Sequence, residues 1–492
     1  VASPQWGGLS EPARAGRFGV HGKKRRAVHS ACRNQQHREG QVVNVNAAAD
    51  QNVRIGPEDA RITRLGESRV ACPKACGRFV PDEPSVMAYI TKRQIGEYGG
   101  EPVFFEEAGP RERIFFDPAK TKCAIVTVGG ICPGINDVIR AIVMEAHHNY
   151  GVAATLGIRY GLRGFIPACR HDVLELTPDN VADIHEFGGT LLGSSRGPQP
   201  VDEIVDALER MNINFLVLLG GVGGMRAATS IVDEITARGL PIGVVGIPKT
   251  IDNDMRFVAR TFGFVTAVEK ATESIACAHT EAVGAPYGIG LLKLMGRSSG
   301  FIAATAAMGL KHVNFVLIPE ERFALHGPGG FLEALANRLT RRGHAVVVAA
   351  EGAGQHLLPP TGETDASGNP VLGDICGLLA REIKAYCQGR GLPITLKYID
   401  PSYIIRSVPA NVADAVYCGF LGQHAVHAGM AGKTGMLVSS MHDRYVHVPL
   451  ALVSADRRRI DTDSEFWQAA LDSTGQPRLA VADEPALADN KE

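Results

Sequence analysis

The chain has no run of about twenty apolar residues, so no segment is long enough to cross a bilayer as a helix. Its longest apolar strings, such as "AVVVAA" at 345–350, have the length of buried strands. Net charge is also missing. Over 492 residues, 51 Lys and Arg nearly balance 52 Asp and Glu, leaving −1 and no reason to expect a nucleic-acid partner. A disulfide pattern is missing as well, because ten cysteines in so long a chain make no framework. Cys123, Cys277 and Cys418 sit in apolar strings and read as small core residues. Cys72 and Cys76 form a C-x3-C pair in a polar region with no identifiable metal partner. The first glycine turn, at 128–137, is neither G-x-G-x-x-G nor a Walker A loop, so a standard dinucleotide or P-loop reading has no support there. What is there is ordinary for a soluble globular protein, 45% hydrophobic and 21% charged, and long enough for two domains with a core each.

The first forty residues stand apart. They carry eight Lys and Arg, "KKRR" at 23–26 among them, against Glu11 and Glu39, with no apolar periodicity. A basic disordered tail and an organelle transit segment both fit that composition. The chain does not open on Met, which leaves room for sequence upstream. From Ala124 the pattern becomes regular. "AIVTV" (124–128) is followed by glycines, and then Ile135, Val138, Ile139, Ile142 and Val143 mark one face of a helix. Strand-like and helix-like stretches alternate onward: 215–219 before "MRAATSIVDEITARG", 241–248 before a helix near 264–279, and 288–296 before "FIAATAAMG". The runs 314–320 and 345–355 flank "FLEALANRLTRRG". Such alternation predicts an α/β fold of βαβ units, with parallel sheets covered on both faces and ligands bound outside the carboxyl ends of the strands.

Every polar or glycine-rich motif falls at such an end. "VGGICPGIND" (128–137) offers glycine amides and a helix N-terminus to an anion, though a tight turn reads equally well. "GGTLLGSSRG" (188–197) presents Arg196, which could fork onto phosphate or simply lie in solvent. "LGGVGGM" (219–225) is a phosphate-cradle type of turn with no acid in it. "IPKTIDNDM" (247–255) packs Lys249, Thr250, Asp252, Asn253 and Asp254 together. One carboxylate beside a lysine there can serve as a general base, while Asp- and Asn-rich turns are also common. In "KLMGRSSG" (293–300), Arg297 offers a forked donor and Ser298 or Ser299 can cap the next helix. Glu351 ends a strand in "AAEGAGQ" (349–355), where a carboxylate can accept sugar hydroxyls. "LKYIDPSYIIR" (396–406) gathers Lys397, Tyr403 and Arg406, a set that suits a sugar phosphate or an exposed cationic face.

In this order the motifs resemble the phosphofructokinase family, nearest to its plant- or protist-type ATP-dependent branch, over about residues 109–450. The resemblance implies two Rossmann-like three-layer α/β domains with mainly parallel sheets and an active site in the cleft between them. It places a nucleotide-binding domain at 124–263 plus 405–455 and a sugar-phosphate domain at 264–404 plus 456–480. Residues 1–85 are left as a basic tail, 86–123 as a lead-in and 481–492 as a second tail. The implied reaction moves a phosphoryl group from ATP to the 1-hydroxyl of fructose 6-phosphate, with Mg²⁺ carried through the ATP phosphates. By position, Gly130, Arg196, Gly197, Gly221, Val222, Gly223 and Gly224 resemble the nucleotide site. Thr250, Ile251, Asp252, Met295, Gly296, Arg297, Glu351, Lys397, Tyr403, Ile404, Ile405 and Arg406 resemble the sugar-phosphate site. Asp252 matches the proton acceptor, with Lys249 and Asp254 beside it.

The resemblance also has gaps. The family loop carries an acid that holds the metal where this chain has Val222, leaving Asp254 as an indirect candidate. Gly224 replaces a threonine, Val265 an aspartate and Ser298 a tyrosine. Gly223 implies a nucleotide donor, whereas Lys249 is the residue of pyrophosphate users; the plant-type enzymes combine the two. Two outcomes therefore stand side by side: an active kinase, possible also with pyrophosphate, or a weak or inactive paralogue serving as a regulatory or structural subunit. A homo-oligomer, dimer or tetramer, is implied, with a neighbour completing the sugar-phosphate site. No nucleic acid or membrane partner is expected. The basic start suggests a plastid, with the cytoplasm as alternative.

Overall fold

The computed structural model describes residues 55–75, 77–98 and 100–481. The "KKRR" stretch and Cys76 lie outside the described residues. A nine-stranded sheet has at its centre five parallel strands, in the order Met436–Met441, Gly243–Pro248, Phe215–Gly220, Lys122–Thr127 and Ala154–Ile158. Arg444–Pro449, Phe104–Glu107 and Pro84–Met87 extend one edge and Val173–Glu175 the other, all antiparallel. A second sheet is wholly parallel, in the order Phe315–Leu317, His344–Ala350, Gly288–Leu294 and Thr395–Ile399. The central strands are buried from end to end, which is why they read as unbroken apolar runs: helices cover both faces.

The helices follow the apolar spacing. Ile135, Val138, Ile139, Ile142 and Val143 are all buried on Ile135–Met144, which starts behind Gly134 at φ 94°. Helix Val412–Met430 packs against it, while Phe264–Val283 covers the second sheet and meets Phe301–Leu310. One apolar cluster takes in Val217 of the first sheet and Val348 of the second, so the two sheets share a core.

Several expectations need correcting. Residues 55–85 are not a tail: Thr63–Arg64 pairs with Lys433–Thr434, and Val70–Ala71 with Arg113–Ile114. Two-residue strands are too short to show a period, and this region is anchored by charge instead. The buried Lys433 bridges Glu106 and Asp82, and Arg111 donates to Asp82 at 2.7 Å. Cys277 is exposed, since the face of its helix that packs inward carries Ile275 and Ala278 instead. Neither Ser298 nor Ser299 caps Phe301–Leu310. Gly300 holds the cap position, its N–H donates to the Glu320 carboxylate at 3.0 Å, and the Ser299 hydroxyl is spent on the Asp252 carbonyl.

Candidate active site

The strand register brings the loops to one place. Thr127 lies opposite Leu219 and Gly220 opposite Pro248, so the turns at Val128, Gly221 and Lys249 leave the first sheet nearly level. In the second sheet Leu294 lies opposite Ala350, which sets Met295 and Glu351 side by side.

Gly221 is the N-cap of the 16-residue helix Val222–Ala237, and no side chain caps that end. The first-turn amides at Val222, Gly223 and Gly224 are thus left to an outside acceptor, at the positive end of a helix dipole. Glycine is required at Gly220, where a Cβ would lie 2.9 Å from the Gly224 Cα. At Gly223, by contrast, a Cβ would meet nothing within 4 Å. The space in front of the cradle is open at that position. Val222 turns inward: it is 3% exposed and belongs to the apolar cluster of Val128, Met225 and Met255.

Lys249 is buried, and its Nζ donates to the Gly130 carbonyl at 2.6 Å. Burial pushes its ammonium down to about 8, and the neighbouring Arg406 and Arg196 push the same way. A Cβ on Gly130 would stand 3.0 Å from Arg406 Nη1 and 3.3 Å from Arg196 Nη2. Two guanidinium groups from distant segments therefore meet over one glycine. Arg196 is held there because Ser194 donates to the carbonyls of Thr127 and Gly129, and the Gly129 N–H donates to Ser195. Gly197 lies at φ 90°, and a Cβ there would stand 2.9 Å from the Ala366 carbonyl oxygen. Arg406 stacks on Tyr403, with its guanidinium carbon 5.0 Å from the ring centroid. Its Nε is buried without a protein acceptor, as is Nη2 of Arg297, which leaves one donor nitrogen on each for a ligand.

Asp252 faces these cations. Its carboxyl is pushed up to about 7, by burial first and then by the neighbouring carboxylates Asp254 and Glu351. Its own N–H donates to Thr250 Oγ1 at 3.1 Å. Burial also raises Glu351, against the pull of Arg297 and Lys293. A carboxyl with such an affinity for protons, beside a lysine and several arginines, can take a proton from a hydroxyl near neutral pH.

The other expected residues divide. Ile251 and Ile405 are buried and act as packing under the loop, while Tyr403 and Ile404 are exposed at its rim. Gly296, at φ 140°, permits a turn in which a Cβ would lie 2.5 Å from the Ser299 carbonyl. Met295 is half-buried beside it. Lys397 does not join this cluster. It sits opposite Gly290, well short of the strand end, and its exposed side chain lies 3.7 Å from Glu281. Asp254 is engaged: Arg457 Nη1 forms an ion pair with its Oδ2, and the Arg458 N–H donates to its carbonyl. Sequence reading missed Arg457 because 203 residues separate the partners, and "DRRRI" at 456–460 looks like a solvated basic run.

The residues present do not fit a protein-held magnesium ion in the loop. Val222 has no ligand atom and is buried in apolar packing, and Asp254 already has a cation. Among the described residues, no group of three His, Cys, Asp or Glu is placed to hold a metal.

The phosphofructokinase family model matches residues 122–429, the span that holds every loop above except the Arg457 segment. The chain belongs to the phosphofructokinase family. The ATP-dependent 6-phosphofructokinase of Borreliella burgdorferi is 46% identical over 433 residues, covering 85% of this chain and 97% of that protein. The ATP-dependent 6-phosphofructokinase of Trypanosoma brucei brucei is 44% identical, over 76% and 77% of the two chains. ATP-dependent 6-phosphofructokinase 5, chloroplastic, from Arabidopsis thaliana is 47% identical, over 76% and 69%. Among solved structures, the pyrophosphate-dependent phosphofructokinase from Nitrosospira multiformis superposes with a TM-score of 0.60 at 18% identity, over 75% and 95%. That likeness speaks for the two-lobed phosphofructokinase fold alone.

Proposed function

We propose that this phosphofructokinase transfers the γ-phosphoryl group of ATP to the 1-hydroxyl of fructose 6-phosphate. The observation that carries the reading is Asp252, a carboxyl raised to about 7 within a ring of cations, beside an uncapped helix end whose Gly223 face is open. ATP lays its phosphates along the amides of Gly221 to Gly224 and the guanidinium of Arg196, with Gly130 and Gly197 allowing close approach. Arg297, Glu351, Tyr403 and Arg406 bind the sugar phosphate, with Thr250 and Met295 beside them. Asp252 takes the hydroxyl proton. Lys249 and Arg406 offset the charge that develops on the transferred group. Phosphoryl transfer needs placement and charge neutralisation more than covalent help, and this arrangement supplies both. Any magnesium enters on the ATP phosphates, since the loop residues do not fit it.

A coupled assay with fructose 6-phosphate, Mg²⁺ and either ATP or pyrophosphate tests the reading. Turnover with ATP supports it. Turnover with pyrophosphate alone, or none with either donor, overturns it. The second reading, a sugar-phosphate-binding subunit without turnover, is favoured by the apolar burial of Val222 and is the outcome if binding is measured but no rate.

The exposure of Lys397 on the strand Thr395–Ile399 supports its service to a neighbouring copy, in at least a dimer, which sedimentation checks. The basic first forty residues and the likeness to a chloroplastic relative support a plastid address, while the likeness to a bacterial one supports the cytoplasm; import of the full chain into isolated chloroplasts decides.

A further inference from the structure

Three carboxylates interact at the centre of this site: Asp252, Asp254 and Glu351. So many acids in one buried place need compensation, since each would otherwise oppose the ionisation of the others and repel a phosphate. A divalent cation is one remedy, but the loop that would help hold it carries Val222, whose side chain is apolar and buried. The chain supplies another. Its segment after Ala455 returns to the site and lies antiparallel against the loop, with a backbone bridge between Met255 and Arg457. The Arg458 N–H donates to the Asp254 carbonyl, and its guanidinium donates to the carbonyl of Ala259 at 2.9 Å. Arg458 also lies over the Phe301 ring, 4.7 Å from the centroid. These contacts fix the backbone at Arg457 and Arg458, and the Arg457 guanidinium meets the Asp254 carboxylate. That carboxylate is only 3% exposed, against 28% for Arg457.

We propose that Arg457 takes the place of a protein-held cation at Asp254: a guanidinium built into the chain neutralises this carboxylate and keeps it out of metal coordination. Arg457 is then a positioning residue. It holds the Asp254 side of the loop so that Asp252 faces the sugar. An arginine suits the task, being always charged and weakly hydrated for an ion, so that it tolerates a half-buried pairing. Its charge does not depend on metal supply.

The inference has a metal-binding arm and a kinetic arm, and the kinetic arm rests on the kinase reading above. In the first, Mn²⁺ alone is titrated into the full chain and free Mn²⁺ is followed by electron paramagnetic resonance, for the wild type, Asp254→Asn and Arg457→Gln. The expected result is no binding to the wild type below millimolar Mn²⁺, and no change with Asp254→Asn. A sub-millimolar site in the wild type that Asp254→Asn abolishes overturns the proposal. In the second, Arg457→Gln lowers kcat at least tenfold with KM for fructose 6-phosphate changed less than threefold, and Arg457→Lys recovers most of the loss. An unchanged kcat in Arg457→Gln, or equal losses in Gln and Lys variants that both melt with the wild type, overturns the positioning role. If Arg457→Gln fails to fold, the Lys variant and the Asp254→Asn titration still decide. A wild type without turnover fails the kinase reading, and the Mn²⁺ titration then decides the metal claim by itself.

Discussion

The open face at Gly223 gives the sharpest prediction. Replacing Gly223 with Asp adds a side chain where a Cβ meets nothing within 4 Å, so no steric cost follows. The position lies in the first turn of Val222–Ala237, an end with no acidic residue and no side-chain cap. An aspartate there interacts well with the helix dipole and removes a flexible glycine, together worth about 0.5–1 kcal/mol of added stability. The melting temperature should therefore stay level or rise by about 1–2 °C. Binding should move the other way. A unit charge about 5 Å from a phosphate oxygen, at an effective dielectric constant of about 20, costs about 3 kcal/mol per opposed charge. KM for ATP should rise by roughly a hundredfold, while KM for fructose 6-phosphate changes little. Initial rates over a range of ATP at saturating fructose 6-phosphate, with a thermal melt on the same sample, give both numbers. An unchanged KM for ATP, with stability intact, would mean that the uncapped amides are not the phosphate cradle.

Three further outcomes follow from the same geometry. Asp252→Asn keeps the side chain's size and should leave melting unchanged while kcat drops by about 10² to 10⁴; an unaltered rate removes Asp252 as the base. The profile of kcat/KM against pH should be a narrow bell. Asp252, raised to about 7, is a base only above that value, and Lys249, lowered to about 8, is a cation only below it. Activity then falls on both sides of the interval, and a flat profile from about pH 5.5 to 9 contradicts the assignment. Gly188→Ala would put a methyl group 2.2 Å from the Ser407 carbonyl. It should destabilise by about 1–3 kcal/mol in chemical denaturation and weaken both substrates, because Arg196 and Arg406 follow that contact; a neutral result denies that it sets their spacing.

Much of this was legible in the sequence, for a physical reason. Strands such as Phe215–Gly220 are buried on both faces and must be apolar throughout, and the helix from Ile135 must repeat its apolar residues by the turn. Loops at carboxyl ends then gather on one side of each sheet, and the resemblance to the phosphofructokinase family is what grouped Gly130, Arg196, Lys249, Asp252 and Arg406 among them. What stayed hidden depends on pairings that leave no local trace. Arg457 and Asp254 lie 203 positions apart, and Lys433 and Glu106 lie 327 apart. Ser299 looks like a helix cap until the Asp252 carbonyl is seen to take its hydroxyl. The orientation of Val222 was equally out of reach: its absence as a ligand could be read, its burial among Val128 and Met225 could not.

The return of the chain after Ala455 has a bearing on synthesis. The loop bearing Asp252 and Asp254 leaves the ribosome some two hundred residues before its counter-charge does. Through that interval the first sheet also lacks Met436–Met441, which pairs directly with Gly243–Pro248. A nascent or proteolysed chain that stops short of Arg457 thus carries Asp254 without the guanidinium that pairs with it. Such a fragment should bind sugar phosphate less well than the full chain, because the loop around Asp254 lacks the ion pair that holds it.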